Sequence, residues 1–352
     1  MEDILGNGDD ITSLGLKYRK KNWTLSEYME LVNKHKKVIK NQKYPVTTKI
    51  RVDNRAVQQF QVHLRQMAYT IQRMGYLYGT VSDGKKPASK EKPKNAAEQK
   101  KQEKEDEEYK EWQFKNVRVA VVYEPPQHGD DNGCIEMNDD KQNDVNDIAK
   151  KLGLERVGWI YSYKGKRDYF LSGREVLKIA EKQDTYGEAF TTLTCGLTDG
   201  GQMKVEAFQV SKLCVELVKQ GMLIVDPKRP HMLKLKKPME LQRKMVSEVE
   251  TILFVCPLGI KSTESIFKIG FPVANRPMAE EQPSKAALKR VLRSRHNLPF
   301  MDQMTDFQLL IYLSDYLTKE DYVDICGAIK QQNHNRIKRY RELIYLYAGL
   351  DL

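Results

Sequence analysis

Two strand-like runs, Met74 to Val81 and Val117 to Val122, are separated by a stretch with almost nothing to bury, and that break constrains the fold more than any other feature. From Gly84 to Glu111 the chain changes abruptly to Lys, Glu, Gln, Ala and Pro, with nine lysines and the acidic run Glu103 to Glu108. Such a composition cannot bury enough apolar surface to offset the entropy of ordering it. It reads as a solvated insertion, 84–111, interrupting a β-hairpin whose two strands pair with each other.

Around that hairpin the apolar spacing alternates between periods of two and of three to four. Lys49 to Val52 reads as a strand. Asp53 then caps a helix whose stripe is Val57, Phe60, Leu64, Met67 and Ile71. Two prolines in Tyr123-Glu124-Pro125-Pro126-Gln127 force a rigid exit from the second hairpin strand, because proline has no N–H to donate. A polar loop from Gly129 to Asp140 leads to a helix over Val145, Ile148, Ala149 and Leu152, then to a strand over Val157 to Tyr163. Phe190 to Leu197 and Met203 to Val210 flank Thr198-Asp199-Gly200-Gly201, a hairpin signal. Ser211 caps a helix, and Met222 to Val225 and Met232 to Leu235 are expected to complete the sheet. Upstream, Thr24-Leu25-Ser26-Glu27 is a capping box that opens a short helix. Downstream of Pro238 the pattern becomes mainly helical: Ala286 to Leu292, Phe307 to Leu317 behind Thr305 and Asp306, Tyr322 to Ile329 behind Thr318, and Ile337 to Tyr347. The fold class is α+β.

The five cysteines, Cys134, Cys195, Cys214, Cys256 and Cys326, are odd in number and lack any Cys-x-x-Cys spacing. This argues against a disulfide framework and a structural zinc site. No run of about 18 apolar residues exists, so direct membrane insertion is not expected. The net charge of +11 is uneven: residues 1–54 carry 11 basic and 7 acidic side chains, residues 227–352 carry 21 and 14, and the middle carries 27 of each. The clusters Lys17, Arg19, Lys20, Lys21 and Lys34, Lys36, Lys37, Lys40 could hold phosphate or an acidic protein surface. Neither sits beside a base-reading motif, so nucleic acid is not the expected partner. The six histidines, His35, His63, His128, His231, His296 and His334, lie far apart, which leaves surface or packing roles.

Gln72 to Gly79 and Leu154 to Tyr163 resemble the two catalytic strands of JAMM-type (MPN-domain) isopeptidases, in which a Glu base precedes the first Gly and the second strand ends His-Ser-His. Here Gln72 stands at the Glu position, and Tyr161 and Tyr163 stand at the His positions. An amide cannot take a proton from water, and a phenol of pKa about 10 is a poor zinc ligand near neutral pH. The resemblance therefore implies an MPN fold without catalytic residues, metal or cofactor, and not an enzyme. Ser172 and Glu175, near the place of the partner Ser and Asp of that motif, read instead as a capping box.

The ordered set Gln72 to Gly79, Val122 to Gln127, Leu152 to Tyr161, Phe208 to Cys214, Phe271 to Arg276 and Asp306 to Leu313 resembles the nuclear protein localization protein 4 family. The resemblance implies an MPN-like domain over 45–237 and a mainly helical C-terminal domain over 238–352, behind a basic extension over 1–44. It further implies a ubiquitin- or polyubiquitin-binding adaptor that works with ubiquitin fusion degradation protein 1 and the AAA ATPase valosin-containing protein in ubiquitin-dependent, including endoplasmic-reticulum-associated, degradation. Location in cytoplasm and nucleus follows, with peripheral recruitment to the endoplasmic reticulum and nuclear envelope. Candidate contact residues are Tyr123, Glu124, Pro125, Pro126, Gln127, Phe271, Pro272, Asn275 and Arg276. The zinc fingers and ubiquitin-like domain usual in that family are not expected within residues 1–54, which hold no Cys and only His35. Two other readings are a JAMM-type zinc isopeptidase with atypical ligands and a basic RNA-binding scaffold.

Overall fold

A computed structural model describes residues 38–87, 109–130, 133–165, 167–197 and 201–351, together with Glu103 and Glu107. The expected Thr24 helix, the basic clusters up to Lys37, most of the 84–111 insertion and the 198–200 turn lie outside the described residues. In chain order the elements are β1 (Thr47–Asp53), α1 (Asn54–Gln66), β2 (Met74–Asp83), β3 (Lys115–Tyr123), β4 (Gln127–Gly129), β5 (Cys134–Glu136), α2 (Gln142–Lys151), β6 (Glu155–Ser162), α3 (Gly173–Tyr186), β7 (Thr191–Leu197), β8 (Met203–Val210) and α4 (Lys212–Lys219). There follow β9 (Leu223–Val225), β10 (Met232–Leu241), β11 (Lys244–Glu250), β12 (Val255–Leu258), β13 (Ile260–Thr263), α5 (Lys285–Ser294), α6 (Phe300–Met304), α7 (Phe307–Leu313), α8 (Lys319–Gln331), α9 (His334–Lys338) and α10 (Arg341–Ala348). They form two compact units. The larger is 44–168, 186–209 and 257–352, and the described part of the smaller is 38–43, 169–185 and 210–256.

In the larger unit a mixed sheet runs β8-β7-β6-β2-β3-β1-β13. The interrupted hairpin forms as expected: β2 and β3 pair antiparallel from Tyr76 opposite Tyr123 to Asp83 opposite Lys115. Helix α1 starts where Asp53 accepts from the Arg55 N–H at 2.9 Å, and it lays Val57, Phe60 and Leu64 on one face of the sheet against Leu77, Val119, Ile160 and Leu193, all buried. Period-two alternation sends Tyr76, Tyr78 and Tyr123 to the other face, where their hydroxyls bond Glu136 at 2.6 Å, Asn146 at 2.6 Å and Asp139 at 2.8 Å.

Several sequence expectations change: α1 ends at Gln66, short of Ile71, and α7 ends at Leu313, short of Leu317. The stretch 129–140 is not a plain polar loop but carries the β4–β5 hairpin, which three-residue strands hid from any periodicity. Met222 to Val225 and Met232 to Leu235 do not complete the large sheet: β9 and β10 pair in a separate three-stranded sheet with β11, β10 runs on through Pro238 to Leu241 with a register shift between Lys234 and Met239, and β13 joins the large sheet beside β1. That shift accommodates a proline that cannot donate to a ladder. The last helix is not continuous from Ile337 to Tyr347, because α9 and α10 break around Arg339 and Tyr340. There Asp324 collects the Arg336 and Arg339 guanidinium groups and the Tyr340 hydroxyl.

The smaller unit holds α3, α4 and an antiparallel sheet ordered β11-β10-β9. The capping box opening α3 is present: the Ser172 N–H donates to Glu175 Oε2 at 2.7 Å, and the Glu175 N–H donates to Ser172 Oγ at 3.4 Å. Ser211 caps α4 through the Cys214 N–H at 3.2 Å.

The insertion is rooted more firmly than its composition suggests. Tyr109 is buried and meets Tyr44 edge-on at 5.1 Å between ring centroids and Trp112 at 4.7 Å, while Lys86 Nζ lies 5.4 Å from the Tyr44 centroid. These aromatic contacts hold both ends of the excursion beside the strands it interrupts. Replacing residues 88–107 with a short flexible linker should leave the melting temperature within a few degrees, since closure entropy varies slowly with loop length. Tyr109→Ala should cost about 3–5 kcal/mol, the usual range for truncating a buried aromatic ring. Calorimetry of the two variants checks this, and equal, small effects would mean that the aromatic root carries no stability.

Candidate functional site

Two of the sequence-selected segments meet in the larger unit, joined by one buried carboxylate. Glu124 follows the last residue of β3 and is buried, 1% exposed. Its Oε1 accepts from Arg276 Nε at 2.9 Å and from the second arm of the same guanidinium at 2.5 Å. Its Oε2 accepts from Arg73, equally buried, at 3.2 Å. The backbone completes the join: Asn275 Nδ2 donates to the Glu124 carbonyl at 3.1 Å, and Arg73 donates to the Asn275 carbonyl at 2.8 Å. Asn275 sits at φ 62, a left-handed turn that Asn tolerates better than most residues and that aims both its groups at this cluster.

The electrostatics follow from that packing. Burial pushes the Glu124 carboxyl upward, but Arg276 and then Arg73 outweigh it and hold the group below the usual carboxylate range. His63 on α1 is 1% exposed, and its Nε2 has no hydrogen-bond partner among the described residues. Burial drives its pKa from 6.5 down to about 4, with Glu124 opposing and Arg276 and Arg73 assisting.

Each end of the clasp is pinned again. Gln127 uses its side chain as a strand would: Oε1 accepts from the Met74 N–H at 2.7 Å, and Nε2 donates to the Met74 carbonyl at 2.8 Å. Phe271 donates its N–H to Asp306 at 3.1 Å, and Asp306 also takes Arg295 at 2.7 Å while capping α7. Burial raises the Asp306 pKa despite that arginine. Tyr123, Glu124, Pro125 and Phe271 are buried; Pro126, Gln127, Pro272 and Arg276 are half-buried; Asn275 is exposed.

Gln72, Tyr161 and Tyr163 lie at or just beyond one end of the β2–β6 pair. Met74 pairs with Tyr161, the Arg73 N–H donates to Ser162 Oγ and the Ser162 N–H donates to the Arg73 carbonyl, each at 2.8 Å; beyond these, the Gln72 N–H turns to the Asp130 carbonyl and the Tyr163 N–H to the Cys195 carbonyl. Tyr161 is buried with its ring 4.7 Å from Trp159. Tyr163 lies over Gly196, where a Cβ would come within 2.1 Å of its ring, and Arg167 covers its other face at 3.8 Å. Sequence reasoning missed Arg73, His63, Arg295 and Asp306 as parts of this assembly. An arginine inside an otherwise apolar strand start was the signal available for the first.

The model of the NPL4 family matches residues 114–253. An NPL4-like protein of Oryza sativa subsp. japonica is 30% identical over 315 residues, which cover 84% of this chain and 68% of that protein. The chain belongs to the NPL4 family. A nuclear protein localization protein 4 homolog of Dictyostelium discoideum is 29% identical over 318 residues, covering 88% of this chain and 49% of its own length. For the Homo sapiens homolog the figures are 25% over 281 residues, 64% and 46%. The chain thus spans about half the length of these two relatives. The NPL4 family match includes Glu124 and Gln127, whereas Phe271 to Arg276 lies beyond it.

Glu124→Gln leaves two arginines facing a neutral amide, one of them fully buried, and should destabilise the fold by about 3–5 kcal/mol in urea unfolding. A loss below about 1 kcal/mol would show that the clasp is not a stabilising junction. His63 gives a separate pH signature. Its folded pKa lies below the free value, so its stabilising share is complete above pH 6.5 and is lost as pH falls towards 4. His63→Gln should flatten the stability profile in that window, measured by thermal unfolding across pH, and an unchanged profile would place the acid sensitivity elsewhere.

Proposed function

We propose that this chain is a non-catalytic ubiquitin-binding adaptor that, with ubiquitin fusion degradation protein 1, delivers polyubiquitinated substrates to the AAA ATPase valosin-containing protein. The observation that carries the reading is that Gln72, Tyr161 and Tyr163 occupy the JAMM-like positions flanking the β2–β6 pair in a member of the NPL4 family. In an MPN-type site those positions would supply a general base and two zinc ligands. An amide offers no basic lone pair at neutral pH, and a phenol deprotonates near pH 10, so the chemistry available is positioning rather than hydrolysis.

On this reading the Glu124 clasp has a mechanical role. It fixes the exit of β3 against the segment 271–276, so that Pro126, Gln127, Pro272 and Asn275 present a preformed surface to a ubiquitin chain. A surface held in place before binding loses less entropy on association. Recruitment to the endoplasmic reticulum would then be through partners; among the described residues no helix is long and apolar enough to cross a membrane.

Gln72→Ala should leave ubiquitin-chain binding within about twofold of the wild type, under 0.5 kcal/mol, and neither protein should cleave the chain. Asn275→Asp, which sets a second carboxylate beside Glu124, should weaken binding about tenfold. Biolayer interferometry with a purified ubiquitin chain, and a gel assay for cleavage, check both. Cleavage that disappears in Gln72→Ala would establish an isopeptidase instead.

A further inference from the structure

Helix α10 leaves an apolar strip uncovered. Leu343 and Leu346, one turn apart, are 47% and 76% exposed. Tyr347 stands one turn beyond Leu343 on the same side and continues the strip into an aromatic stack: its ring lies 4.8 Å from Tyr316, itself 53% exposed, and Tyr316 lies 4.9 Å from Tyr312. Single exposed leucines need no explanation, but two leucines joined to two tyrosines make a continuous patch. The Tyr312 and Tyr347 hydroxyls meet at 3.2 Å, and Tyr312 packs on Phe271 at 5.1 Å, so the stack is held from below.

Cations border the strip at its Tyr347 end. Lys285 Nζ lies 5.5 Å from the Tyr347 centroid, and Lys289, one turn along α5, donates to the Gly349 carbonyl at 2.6 Å. Glu342 is the only acid within α10. The helix backbone is internally bonded, so a partner on this face must engage side chains while satisfying its own backbone, as a helix does.

We infer that the Leu343–Leu346–Tyr347–Tyr316 strip is a docking face for an acidic amphipathic helix of a partner protein. Aliphatic side chains of that helix would lie between the leucines and the tyrosines, with its carboxylates towards Lys285 and Lys289.

The test uses the full chain and a fluorescein-labelled synthetic helix rich in glutamate with leucines one turn apart, read by fluorescence anisotropy. The wild type should bind with Kd below about 100 μM, and Leu346→Asp should weaken binding at least tenfold while leaving the melting temperature unchanged, since that side chain is mostly exposed. Lys285→Glu with Lys289→Glu should weaken it further and flatten its salt dependence. Undetectable binding by the wild type would overturn the inference. So would equal binding of a lysine-rich version of the helix, retention of binding in Leu346→Asp, or displacement of the peptide by single-stranded RNA. Self-association of the wild type that Leu346→Asp abolishes without affecting the peptide would assign the strip to a second copy instead.

Discussion

One buried carboxylate organises the larger unit. Glu124 is removed from water and tolerated because two guanidinium groups supply the donors that solvent would have given. Those arginines come from places distant in the sequence, the start of β2 and the turn before α5, so a single charge ties the central hairpin to the segment leading into the helices. The same turn returns its own backbone to the cluster through Asn275, which makes the junction directional as well as charged.

Around that charge the molecule repeatedly uses polar side chains where a strand would otherwise continue. Gln127 brackets both backbone groups of Met74 in the larger unit, and in the smaller unit Gln183 does the same for Val210, accepting at 2.7 Å and donating at 3.1 Å. Tyrosines on the outer face of β2 and β3 tack down the stretch after Pro126 through Glu136 and Asp139. Each device satisfies buried backbone or phenol groups without lengthening the sheet. The result is a short, well-fixed β4–β5 hairpin where composition suggests only a loop.

How much was legible depended on the range of the interaction. The Asp53, Ser172, Ser211 and Thr318 caps, the β2–β3 hairpin and the α1 stripe were all readable, because each rests on residues close in sequence or on a strong period. The three-residue strands β4 and β5 were not, since they are too short to show alternation. The break between α9 and α10 was hidden for another reason: it depends on Asp324, a residue of α8.

The sequence by itself determined the capped helices, the β2–β3 hairpin, and the residue types that make Gln72, Tyr161 and Tyr163 unsuited to zinc-assisted hydrolysis. It also singled out Tyr123 to Gln127 and Phe271 to Arg276, though as separate motifs. Only the tertiary structure decided that the two segments share one ion cluster, that Arg73 and His63 belong to it, and that Tyr109 roots the insertion. Spacing along a chain reports periodicity, whereas the pairing of Glu124 with Arg276 spans more than 150 residues and exists only once both are buried together.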